Sequence, residues 1–106
     1  MANAWAGEVA LVIDGQRHIL KLTLGALAEL EQDLDTTGLV GLVERFERAD
    51  YSTADVISVL IAGLRGGGWS GQRQDLLASE IEGGLLKAVA AAGAVLARAF
   101  SLPSDG

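Results

Sequence analysis

The stretch Asp55-Val56-Ile57-Ser58-Val59-Leu60-Ile61-Ala62-Gly63-Leu64-Arg65-Gly66-Gly67-Gly68-Trp69 decides the fold. Val56, Ile57, Val59, Leu60, Ile61, Ala62 and Leu64 run almost unbroken, with only Ser58 polar among them. A surface helix carries one apolar stripe, whereas this segment is apolar nearly all round, as a helix buried inside a domain would be. A parallel-sheet strand reads the same way, and the start signal decides between them. Ser52 is a natural N-cap, and Asp55, three residues on, puts a carboxylate at the positive end of a helix. Gly66-Gly67-Gly68 then ends it, because three glycines give up too much backbone entropy to stay helical. Thr53–Arg65 is therefore read as the central helix, against which everything else packs.

The rest of the composition suits such a core. A chain of 106 residues is one domain's worth, and half its residues are apolar. Aromatics make up only 5%, so the core should be closely packed rather than bulky. There is no cysteine, which excludes a disulfide framework and any thiolate metal site. A formal charge of −6, without a basic cluster, argues against nucleic acid or an anionic membrane as partner. The start of the chain does not read as a secretory signal. Leu85–Phe100 is apolar, but interrupted by Lys87 and Arg98 and too short for a membrane span.

Working outward from the central helix, 1–7 is a lead-in carrying Trp5. Glu8–Ile13 and Gln16–Leu22 are strand-like runs around Asp14-Gly15, a dipeptide suited to a two-residue type I′ turn. That turn places Ala10 opposite Ile19 and puts Val9, Leu11, Ile13, His18, Leu20 and Leu22 on one face. Thr23 can cap a first helix with Leu27, Leu30 and Leu34 inward, and Gly38 ends the segment. Leu39, Leu42, Val43 and Phe46 mark the inner face of a second helix. Ser70 can cap a short fourth helix carrying Leu76, Leu77 and Ile81 and ending at Gly83-Gly84. The last helix, Leu85–Phe100, gathers Leu85, Val89, Ala92, Leu96 and Phe100 in one arc, with Ala90, Ala91 and Ala94 on the far side. Residues 101–106 read as a flexible tail. The fold class is α+β: a single domain over 1–106, with an N-terminal β-hairpin (8–22) followed by a compact bundle of about five helices (23–100).

Little in the chain resembles catalytic machinery. His18 is the only histidine and falls among apolar residues of a strand face, where it reads as packing. The serines have no histidine placed to act as a base, and Glu29, Glu31, Asp33 and Asp35 form a solvated helix face and its end. Gly66-Gly67-Gly68 follows a helix rather than a strand and lacks a Gly-Lys-Ser/Thr continuation, so it does not read as a phosphate loop. The expectation is a protein that is not an enzyme, with no cofactor and no metal.

Gly7-Glu8-Val9, the Asp14-Gly15 turn, the run Leu22–Glu31, Ala62–Gly68 and Leu96-Ala97-Arg98-Ala99-Phe100 together carry a resemblance. The chain resembles the small tail assembly chaperones of gene transfer agents and related long-tailed phages. The resemblance implies a non-enzymatic protein of the host cytoplasm that binds the tape measure protein, helps recruit tail tube protein, and is not expected in the mature particle. The alternatives are a structural minor tail component retained in the particle, or a small DNA-binding regulator, which the acidic Glu44–Asp55 region disfavours.

Two surfaces are expected to do the binding. The Ala-rich side of the last helix, with Trp69 nearby, should receive a partner helix through Trp69, Leu86, Ala90, Ala91, Ala94 and Val95. A two-stranded hairpin also leaves strand edges unpaired, so self-association is expected along Val9, Leu11 and Ile13, making the protein a homo-oligomer.

Overall fold

A computed structural model describes residues 7–100; the expected lead-in with Trp5 and the expected tail fall on 1–6 and 101–106, outside the described residues. The hairpin is formed by β1 (Val9–Ile13) and β2 (Gln16–Leu20), and five helices follow: α1 (Leu24–Gln32), α2 (Gly38–Glu47), α3 (Thr53–Gly66), α4 (Arg73–Leu77) and α5 (Gly84–Phe100). This is the α+β architecture expected of the sequence. The strands pair antiparallel with Ala10 opposite Ile19 and Ile13 opposite Gln16. Asp14 and Gly15 both take positive φ, 51° and 78°, which is what a two-residue type I′ turn requires.

Burial radiates from α3. Val56, Val59, Leu60, Ile61, Ala62, Gly63 and Leu64 are all buried, and α1, α5 and β2 pack directly on this helix. Leu20 and Leu22 join this core from the β2 side and Ala26 and Leu30 from α1, while Leu11 and Ile13 complete it from β1, which packs on α5. His18, opposite Leu11, is half-buried on the same face.

The start of α3 is fastened twice. The Ser52 hydroxyl accepts from the Asp55 backbone N–H, and the Asp55 carboxylate accepts from the Ser52 N–H, each at 3.0 Å. The same carboxylate takes both ends of the Arg45 guanidinium, Nε at 3.0 Å and Nη2 at 3.2 Å, tying α2 to α3. Burial tends to raise the Asp55 pKa, but the bonds from Arg45 and Ser52 outweigh it and hold the carboxyl below its ordinary value. A carboxyl whose pKa is lower folded than unfolded contributes stability above the unfolded value and loses it as pH falls through the folded one. Thermal melts of the wild type should therefore show a loss of stability below about pH 4. Asp55→Asn should flatten that part of the profile and, at neutral pH, should cost about 1–2 kcal/mol for the damaged cap.

Four sequence expectations are corrected by packing. Gly38 opens α2 rather than ending α1. The cap of α4 is Gln72 rather than Ser70, and α4 stops at Leu77, where the Ser79 hydroxyl donates to the Leu76 carbonyl. Ile81 lies outside any helix and pairs with Ile13 in an antiparallel bridge. Finally, α5 is rolled about its axis relative to the expected arc: Ala88, Ala91, Ala92, Val95 and Leu96 face inward, while Leu85 and Leu86 are exposed. Small side chains let α5 lie close to α3 and β1, and the close-packed contact outweighs turning the larger leucines inward.

Candidate functional site

The expected helix-binding surface is divided by this roll. Ala91 and Val95 are interior, Trp69 and Ala94 are half-buried, and only Leu86 and Ala90 are exposed. Trp69 packs against the core, and its ring lies so close over Gly71 that a Cβ there would stand 2.1 Å from it. It therefore acts as a plug under the loop, and the Ala-rich side of α5 is split, with Ala91 turned to the interior and Ala90 to solvent.

An apolar groove opens elsewhere, between α3, α4 and α5. It has a volume of about 280 Å³ and is lined mainly by Val56, Ile57, Leu60, Leu77, Ile81 and Leu85. Leu77, Leu85 and Leu86 expose more than half of their surface beside it. A second groove, about 400 Å³, lies between α2 and α5 and is lined by Val43, Phe46, Gly93, Leu96 and Phe100. Among the described residues no group of three or more histidines or carboxylates is placed to hold a metal ion. Nor is any helix long and apolar enough to cross a membrane.

The hairpin's two edges differ. On β2, the Lys21 N–H donates to the Gly63 carbonyl of α3 at 2.9 Å. Gly66 and Gly67 lie against the Lys21 and Ile19 carbonyl oxygens, where an added Cβ would stand 1.8 Å from each oxygen. These glycines were read as the end of the central helix; Gly66 and Gly67 are also the contact by which that helix end lies flat on a strand edge. Their spacing carried the signal: Gly63, Gly66 and Gly67 fall at i, i+3 and i+4, on one helix face.

On β1, the closure is partial. The Asp14 N–H donates to the Glu80 carbonyl at 2.8 Å and the Glu82 N–H to the Val12 carbonyl at 3.0 Å. The Asp14 carboxylate also accepts from the Glu80 N–H at 2.8 Å. Because Val12 and Asp14 direct these groups outward, the even-numbered positions of β1 face the edge and the odd-numbered ones bond β2. Val9, Leu11 and Ile13, expected to form the self-association edge, thus spend their backbone groups inside the hairpin, and Leu11 and Ile13 bury their side chains. The residues that sequence reasoning missed are Ala10 and Val12, although a two-residue turn already fixes this alternation.

Against known protein families, residues 6–102 match the family model described as "Phage tail tube protein, GTA-gp10". No curated protein and no solved structure matches the chain.

Proposed function

The chain belongs to the family described as phage tail tube protein, GTA-gp10, and on that premise we propose that it is a structural subunit retained in the tail. The premise corrects two expectations. A tail tube protein is a component of the particle, so the chaperone that acts and departs is replaced by a subunit that stays. For the same reason the expected absence from the mature particle is reversed. The tape-measure contact inferred together with the chaperone role loses its ground.

The family match over nearly the whole described chain carries this reading, and the surface is compatible with it. A subunit built into a repeating assembly needs faces that neighbours can cover, and this molecule exposes Leu77, Leu85 and Leu86 beside an apolar groove. Its partners in this role are other tail subunits. Quantitative mass spectrometry of extensively washed, purified particles tests the proposal. The protein should be present in many copies per particle and remain after salt washes. Its presence only in the producing cells' lysate, with none in the particles, would overturn it.

A further inference from the structure

We infer that the segment 70–79, which carries α4, is a strap that lifts as a unit from the groove between α3 and α5 while the rest of the fold stays closed. The inference stands on the packing of this segment and does not depend on the tail assignment.

Both ends of the strap are fastened. Before it, the Trp69 N–H donates to the Leu64 carbonyl at 2.9 Å, and the Trp69 side chain packs on the core. After it, Glu80 is held by Asp14 through a backbone bond and a side-chain bond, each of 2.8 Å. Between these anchors the segment bonds only to itself. The Asp75 and Leu76 N–H groups donate to the Gln72 carbonyl, Ala78 to that of Gln74 and Ser79 to that of Leu76. The Asp75 carboxylate accepts from the Gln72 N–H. Among the described residues, no hydrogen bond or ion pair from 70–79 reaches α3, α5 or the hairpin.

Packing is equally thin. Leu76 is the one buried side chain of α4, and Arg73, Gln74, Asp75 and Leu77 are exposed. Leu76 lines the groove together with Val56, Leu60 and Ala88, which are themselves buried. A helix of five residues is too short to hold itself in water. One leucine is thus the main contact set against the entropy of ordering every residue of the strap. Segments with so few buried apolar contacts open at a small fraction of the free energy that unfolds the core. When the strap lifts, Leu76 leaves Val56, Leu60 and Ala88, and the groove deepens beside the exposed Leu85 and Leu86. Because both anchors stay in place, the strap returns to the same seat. The device sets how much apolar surface the molecule shows, little with the strap down and more with it raised.

Limited proteolysis of the full chain tests it. Trypsin needs an unfolded segment around the bond it cuts, and Arg73 opens α4. Cleavage after Arg73 should not change rate in urea well below the unfolding midpoint, because lifting the strap exposes little surface. Leu76→Ala should speed that cleavage roughly 10–100-fold, through the lost burial of one leucine. Ile61→Val, on the α1 side of α3, weakens the whole fold and should leave the cleavage rate unchanged. The chain has no cysteine, so Ala88→Cys places a single thiol in the groove wall for a second readout. Its alkylation by iodoacetamide should rise with Leu76→Ala by the same factor and ignore Ile61→Val. Cleavage that climbs with urea in step with global unfolding would overturn the inference. So would a rate that answers Ile61→Val as it does Leu76→Ala, or answers neither, or a groove thiol whose alkylation Leu76→Ala does not change.

Discussion

Gly66→Ala should destabilise the protein, although alanine is the better helix former. In an open helix interior the exchange gains up to about 1 kcal/mol. Here the new Cβ would stand 1.8 Å from the Lys21 carbonyl oxygen and 3.0 Å from its carbon, atoms of a strand backbone that cannot swing aside. The end of α3 must back away from β2, stretching the 2.9 Å bond from the Lys21 N–H to the Gly63 carbonyl. Overpacking of this kind costs about 1–3 kcal/mol and sometimes more. Gly67→Ala meets the Ile19 carbonyl oxygen at the same distance, so the double variant should lose much of the about 5–15 kcal/mol that holds a small domain together. Gly25→Ala is the control. It lies in α1 with only the Thr23 hydroxyl 3.9 Å away, and should be neutral or slightly stabilising. Urea denaturation of the three proteins measures the contrast. Unchanged midpoints for both Gly66→Ala and Gly67→Ala would mean that α3 does not lie on the strand edge.

Ala91→Glu should leave most of the protein unfolded at neutral pH, whereas Ala90→Glu, one residue away, should shift stability by no more than about 0.5 kcal/mol. Ala91 is only 4% exposed, on the side of α5 that packs inward. A carboxylate there has no cation among the buried residues to pair with, and removing a charge from water without compensation exceeds what a marginally stable domain can absorb. Ala90 faces solvent, where glutamate is a good helix former. Circular dichroism melts distinguish the two. Equal stability of both variants would show that α5 is rolled differently.

Elements whose signals are local were legible in the sequence. Ser52 and Asp55 announced the start of α3, Asp14-Gly15 fixed the hairpin and its register, and the apolar run Val56–Leu64 marked the centre of the core. The roll of α5 was not legible, because alanine, leucine and valine occur on nearly every side of that helix. Its two candidate arcs differ little in hydrophobicity, and the inward one is selected by how closely α3 and β1 approach. Ile81 falls four residues after Leu77, a helical spacing, yet the chain there is extended because Asp14 holds Glu80 from across the molecule. The glycines after Leu64 announced a helix end correctly, while their second role needed the strand carbonyls lying against them. For the expected binding surfaces, apolar content pointed to α5 and to the hairpin, but Ala91, Val95, Leu11 and Ile13 are buried. Which backbone groups face outward is a property of pairing, and which alanines are hidden is a property of packing.

The clasp between Asp14 and Glu80 joins residues 66 positions apart, and that separation becomes a delay during synthesis. At about 5–20 residues per second, roughly 3–13 s elapse between translation of the turn and translation of the segment that covers it. Throughout that interval the whole outer edge of β1 is bare, including the half that Glu80–Glu82 later occupies. Nascent chains on neighbouring ribosomes therefore present one another with a longer strand edge than any finished molecule does. Exchange of the chain from Glu80 onward between two molecules, pivoting after Leu77 where α4 ends, is the error to which this timetable is most open.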